Sequence, residues 1–189
     1  MRRDKPYGVI DFALTGLDYD ALKNRLKKTD TGITYQPPKA GGRTKPDGTE
    51  LKWEVTFPMG AERGNVPFWC QDVTPRDRRV SVAEASTTHP SGVLGIAGVI
   101  VEVREGSVNR LSLATAAITD TSSRDSDRYE TDVPNAVKKL SKPSIRLQKA
   151  TVDASKELSL TLVLQSPEHR PQPAIQERIN DGLVSIAFE

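Results

Sequence analysis

Two patterns of apolar positions alternate along the first half of the chain. Residues 8–15 form an almost continuous apolar run, interrupted by Asp11, which predicts a strand buried on both faces. Apolar residues then recur at i, i+3 and i+7 behind Asp18, a residue suited to capping a helix, and predict a helix over residues 18–29. The chain therefore begins with a strand followed by a helix.

Three strands are predicted after this helix. Residues 33–35 form a short one, and apolar and polar residues alternate strictly over residues 51–57. The Pro-Asp-Gly sequence at 46–48 favours a turn, since Pro presets φ and Gly ends the turn without strain, so the strand at 51–57 is predicted to form a hairpin with the segment at Arg43. Residues 66–73 form the last strand, which gives the order β-α-β-β-β.

The second half repeats this order after a polar connector at residues 74–92. A buried strand is predicted at 93–103 and a helix at 107–118, followed by a polar loop. The remaining elements are two strands, a short helix beginning near Pro173, where Ile175 and Ile179 share a helical face, and a closing strand at 183–188.

These patterns predict an α+β protein made of two βαβββ modules with curved, mainly antiparallel sheets. The first module spans residues 1–88 and the second spans residues 89–189. Both helices are expected on one side of the sheets.

Composition narrows the function classes. The 27 Lys and Arg nearly balance the 25 Asp and Glu, which argues against a nucleic-acid partner, and no apolar run is long enough to span a membrane. A single cysteine excludes an intrachain disulfide and fits a reducing compartment, so we expect a cytoplasmic protein. Only two histidines, His89 and His169, are present, which excludes a three-histidine metal site within one chain.

Three motifs carry a resemblance to a known family. Residues 43–53 combine an Arg-x-x-Pro-Asp-Gly turn with a Leu-x-Trp strand, residues 64–69 read Gly-Asn-Val-Pro-Phe-Trp, and residues 89–90 are His-Pro. This pattern resembles the glyoxalase-like domain family of the vicinal oxygen chelate superfamily. The match is specific over residues 7–92 and rests mainly on strand order over residues 93–189.

The resemblance implies a further module before the segment that opens this chain. Members of the family carry there an Asp-His strand and a Tyr-Leu-Glu strand. We therefore expect either a truncated gene model or a shortened paralogue.

The resemblance also locates where metal ligands would stand, at the first and last strand of each module. The matching positions here are Phe12, Cys70 or Gln71, Ala97 or Gly98, and Ser185. These residues do not compose a site for a hard divalent cation, so we predict no metal and no cofactor.

The expected ligand-binding residues are aromatic or polar side chains in or beside the motifs: Phe12, Arg43, Trp53, Trp69, Gln71 and His89. Both tryptophans fit a core position as well as a ligand wall, and His89 fits a loop residue bonded to backbone. Cys70 fits a small buried apolar residue, and no catalytic residue is assigned. Arg43 is the expected partner of Asp11, while the arginines of the connector fit a solvated face better than a phosphate site.

Two function classes follow. The first is a metal-free, catalytically inactive module that binds a small carbonyl or oxygenated molecule in a sheet cleft. The alternative is a lyase, isomerase or dioxygenase-type enzyme of the superfamily that acts on a small metabolite. We further expect an apolar strip that makes the chain either self-associate as a homo-oligomer or remain marginally stable. The strip comprises Tyr7, Ile10, Phe12, Leu14, Trp53 and Trp69.

Overall fold

The computed structural model describes residues 11–83 and 92–120 continuously, and after them five strands of the second half. Residues 86, 88 and 90 are also described. The described residues of the first half form one α-helix, a 3₁₀ turn at Arg76–Arg78 and six strands: β1 (Ala13–Leu14), α1 (Tyr19–Lys27), β2 (Thr34–Tyr35), β3 (Lys39–Thr44), β4 (Glu50–Thr56), β5 (Pro58–Met59) and β6 (Phe68–Asp72). The second half contains one long helix and six strands: β7 (Gly95–Val103), α2 (Val108–Thr119), β8 (Arg128–Glu130), β9 (Ser144–Lys149), β10 (Leu160–Gln165), β11 (Ile175–Ile179) and β12 (Gly182–Phe188).

The strands of the two halves lie in different sheets. A four-stranded sheet has the order β1-β6-β4-β3, and β2 pairs with β5 in a separate two-stranded ladder. The second half forms a six-stranded sheet of order β11-β12-β10-β7-β9-β8. Most neighbouring strands are antiparallel, while β1–β6, β7–β9 and β10–β12 are parallel. The predicted α+β class with mainly antiparallel sheets is therefore confirmed.

Local sequence signals account for the first helix and the hairpin after it. The Asp18 carboxylate accepts a hydrogen bond from the Ala21 backbone N–H at 2.9 Å, which satisfies one of the free donors at the start of α1. In the β3–β4 turn, Gly48 adopts φ +83° and donates to the Lys45 carbonyl at 2.9 Å. The predicted helix and the predicted Pro-Asp-Gly turn are both confirmed.

Two predictions for the second half are wrong. The segment Ile175–Ile179 is a strand that pairs antiparallel with β12, not a helix. Five residues are too few for a helix to be stable alone, and pairing with β12 satisfies the backbone groups instead. Within the predicted polar loop, Arg128–Glu130 forms an edge strand on β9, which apolar periodicity cannot reveal in three residues.

One hydrophobic cluster joins the two halves. Leu22 and Leu26 of α1 pack in the same cluster as Leu111 and Ile118 of α2, together with the inward-facing residues of β7 such as Val101. The two helices therefore share a core, although the strands of the two halves belong to different sheets.

Two arginines form hydrogen bonds between the two halves of the chain, each to backbone carbonyl groups of the other half. Arg25 of α1 donates to the Ala117 carbonyl at 2.7 Å, near the end of α2. Arg110 of α2 donates to the Thr31 carbonyl at 2.7 Å and also to the Gly60 carbonyl. These bonds join the loops of the first half to the helix of the second. Within the described residues, no helix is long and apolar enough to cross a membrane.

Candidate functional site

The register of the four-stranded sheet separates the two tryptophans. Trp53 of β4 lies opposite Asp72 of β6, whereas Trp69 of β6 lies opposite Thr56. Directly opposed residues share a face and successive residues alternate, so Trp53 and Trp69 lie on opposite faces of the sheet. The sequence indicated adjacent strands for both residues, but it did not give the pairing register.

One face, named here the Trp53 face, carries Gly41, Arg43, Trp53, Cys70 and Asp72. Gly41 is opposite Trp53 on β3, and a Cβ atom at Gly41 would lie 2.6 Å from the indole Nε1. The indole therefore lies over the glycine, close to the backbone of β3. Trp53 is only partly buried, so part of its side chain is open to solvent.

Charged residues lie on the same face of the sheet as the Trp53 indole. The connector after β6 turns back so that Arg79 Nη2 lies 2.9 Å from the Asp72 carboxylate, and Arg79 Nη1 lies 3.7 Å from Cys70 Sγ. Arg76 reaches the same carboxylate at 3.1 Å. Asp72 thus accepts from two guanidinium groups and is only 12% exposed.

The electrostatics of Arg79 follow from these contacts. Desolvation opposes its charge, but the Cys70 sulfur and the Asp72 carboxylate outweigh that effect and raise the pKa of the guanidinium. The guanidinium therefore remains a fixed cation at one side of the Trp53 face. Sequence reasoning assigned the connector arginines to a solvated face, whereas Arg79 is largely buried against β6.

The opposite face of the sheet packs against the core at β1 and β6, whereas Lys52 and Glu54 of β4 on that face are exposed. Trp69 is buried, lies opposite Leu14 of β1 and packs in the cluster with Leu22. Phe12 is half-buried against the same cluster. Trp69 is therefore a core residue, Phe12 packs against the core, and neither shares a face with Trp53.

Tyr35 of β2 is a buried residue of the cluster that contains Trp69. The Tyr35 hydroxyl donates to the Pro67 carbonyl at 2.6 Å. Burial raises the pKa of this phenol far above its usual range, the nearby Asp11 charge adds to the rise, and the Trp69 indole N–H partly offsets it. The phenol is therefore a neutral hydrogen-bond donor to the backbone, which is a structural role.

Two further expected roles are corrected. Gln71 uses its side-chain Oε1 to accept from the Leu17 backbone N–H at 2.9 Å, so it fixes the start of α1. Asp11 pairs with Arg63 at 2.7 Å rather than with Arg43. Arg63 precedes β6 in an irregular loop, and the tertiary fold brings it to Asp11 across 52 positions of sequence.

The positions matched to metal ligands do not fit a metal ion. Phe12 packs against the core, Ala97 is buried and apolar, and Gly98 lies against the Ser144 carbonyl of β9. Of the other three, Cys70 Sγ accepts from Arg79, Gln71 accepts from the Leu17 backbone, and Ser185 lies in β12 on the second sheet. Among the described residues, no three His, Cys, Asp or Glu side chains come together.

The expected apolar strip is not a continuous surface in the described part of the chain. Trp53 faces away from Trp69, and Leu14 and Phe12 are half-buried against the cluster. Tyr7, Ile10, His89 and His169 lie outside the described residues.

Comparison with known protein families identifies the family of the chain. The model of the glyoxalase-like domain matches residues 2–118, more than half of the chain. The chain belongs to the glyoxalase-like domain family. The family match continues through β7 and most of α2, so it includes both helices of the shared cluster.

Solved structures add a likeness in fold. The glyoxalase-like chain is similar to the crystal structure of a hypothetical protein from Staphylococcus aureus, with a TM-score of 0.57 and 14% sequence identity. The alignment covers 95% of this chain and 66% of that protein, so this chain spans about two thirds of its length. No curated protein matches the sequence.

Proposed function

We propose that this glyoxalase-like domain protein binds a small carbonyl or oxygenated molecule on the Trp53 face. The observation that supports this site best is the Trp53 indole, which lies partly exposed on Gly41 with guanidinium groups on the same face. Apolar surfaces bordered by a few polar groups are typical of small-molecule sites. Of the six expected ligand-binding residues, Arg43 and Trp53 belong to this proposal.

Gly41 gives the indole its position in this proposal. A β-carbon at residue 41 would overlap the ring, because it would lie 2.6 Å from Nε1 and 2.9 Å from Cε2 of Trp53. Any other residue there forces the indole to another rotamer. The proposed aromatic surface therefore depends on a glycine in a strand, where glycine is otherwise unfavourable.

We propose that binding needs no metal ion. The support is the commitment of the superfamily-equivalent positions to other contacts, such as Gln71 to the Leu17 backbone. Elemental analysis of the purified chain, followed by ligand titration before and after treatment with a chelator, tests this. Stoichiometric zinc, nickel or iron whose removal abolishes binding would contradict it.

The binding proposal is tested through the two indole N–H groups of the chain. Protein labelled with ¹⁵N is titrated with pyruvate, methyl pyruvate and hydroxyacetone, and the indole cross-peaks are followed by NMR. Trp53→Phe assigns the two peaks. We expect at least one probe to shift the Trp53 peak in a saturable way while the peak of the buried Trp69 stays in place.

Gly41→Ala serves as the structural control for this titration. It should move the free-protein Trp53 peak and weaken binding, while Gly48→Ala, in the β3–β4 turn, should leave binding intact in a folded protein. If no probe shifts the Trp53 peak, or if Gly41→Ala binds as tightly as the parent protein, the assignment of the site is wrong.

A further inference from the structure

The Trp53 face carries more positively than negatively charged side chains. Lys39 and Arg43 lie on this face along β3, and Arg76 and Arg79 reach it from the connector. Asp72 is the acidic residue that the strands contribute to this face in the described part of the chain. Its carboxylate is already shared by two guanidinium groups, so a cationic ligand would find no free acceptor there.

Arg43 differs from the other arginines on this face. Arg76 and Arg79 point their donors at Asp72, whereas Arg43 is exposed and makes no ion pair with any described residue. A guanidinium group presents parallel N–H donors that match a carboxylate in two hydrogen bonds. Arg43 is therefore the arginine on this face whose donors are available to a ligand.

The strand register also shows that Arg43 and Trp53 are close neighbours on this face. Gly41 lies directly opposite Trp53, so Arg43 is a diagonal neighbour of Trp53 across the β3–β4 pair. Diagonal neighbours are about 7–8 Å apart, within reach of long and aromatic side chains. A carboxylate bound by Arg43 would thus lie within reach of the indole.

We propose that the ligand of the Trp53 face is a small carboxylate, such as a 2-oxo acid, whose carboxylate is bound by Arg43. This inference rests on the proposed function and narrows its ligand class. Leu51, the residue opposite Arg43 on β4, is 1% exposed, so the exposed guanidinium stands beside a buried apolar residue.

Pyruvate and methyl pyruvate form the matched probe pair, because they share both carbonyl groups and differ in the negative charge. Dissociation constants come from the Trp53 indole peak and from calorimetry. We expect pyruvate to bind at least about tenfold more tightly than the ester, the effect of one charge-assisted pair. Arg43→Gln should remove that preference by lowering the affinity for pyruvate to the level of the ester.

Lys39→Gln is the matched control. Lys39 is the other diagonal neighbour of Trp53, on the same strand and face, but it lies beside the half-buried Val55 rather than the fully buried Leu51. An ammonium group lacks the parallel N–H donors of a guanidinium, so the Lys39 variant should keep the preference for pyruvate. Equal losses in the two variants would show attraction by general positive charge only and would overturn the assignment to Arg43.

The outcomes separate this inference from the proposed function. If the ester shifts the Trp53 peak and binds as tightly as pyruvate, the carboxylate class is wrong and the binding site stands. If neither probe nor hydroxyacetone shifts that peak, both are wrong. Circular dichroism of the two variants checks that the charge changes leave the fold intact.

Discussion

Truncation of one leucine in α2 tests whether the two halves of the chain share a core. Leu111 is 1% exposed and packs in the cluster that also contains Leu22, Leu26 and Trp69 of the first half. Leu111→Ala leaves a cavity between the two helices. If the cluster is one cooperative unit, this change in the second half must destabilise the first half as well.

The size of the effect follows from the burial. Removing a fully buried leucine side chain costs about 2–5 kcal/mol, made up of lost transfer energy and the cavity that remains. We take about 3 kcal/mol, since the helix–helix contact can relax in part. In a chain of this size, each kcal/mol lowers the melting temperature by roughly 2–4 °C, so a fall of about 6–12 °C is expected.

Both tryptophans lie in the first half, so tryptophan fluorescence follows the unfolding of that half, including the cluster around Trp69. Urea unfolding followed by tryptophan fluorescence should shift to lower denaturant in the Leu111 variant, together with the far-ultraviolet circular dichroism. Leu113→Ala is the control, because Leu113 lies on the same helix and is 55% exposed. Its effect should stay within about 0.5 kcal/mol.

The result that would refute a shared core is specific. The fluorescence transition would remain where it is in the parent protein, while circular dichroism showed a second transition at lower urea. The two halves would then unfold separately, and the helix contact would add little to the stability of the first half.

Two further predictions concern the first half. Asp18→Ala removes the acceptor for the Ala21 N–H and should cost about 1 kcal/mol in urea unfolding, whereas Asp18→Ser should restore most of it. The Thr49 backbone N–H lowers the pKa of Asp47 below its unfolded value, so its contribution is present above about pH 4 and is lost as the pH falls through the folded-state pKa. Asp47→Asn should remove this acid-range loss, and an unchanged pH profile of stability in that variant would contradict the assignment.

The sequence by itself determined the elements whose signals are local. The helix at Tyr19–Lys27 follows from apolar spacing and a capping aspartate, and the β3–β4 hairpin follows from the turn at residues 46–48. Strict alternation in β4 likewise predicted a strand. In each case the atoms that stabilise the element come from residues within a few positions, so a short window of sequence contains the whole cause.

The tertiary structure alone decided which residues share the candidate site. Trp53 and Trp69 both fit a ligand wall in sequence, but the β4–β6 register places one beside Arg43 and buries the other in the core. A shift of one residue in that register would exchange the two faces, and no local pattern encodes it. Segment 175–179 shows the same limit, since its helical spacing yields to the backbone pairing that β12 offers only in the folded chain.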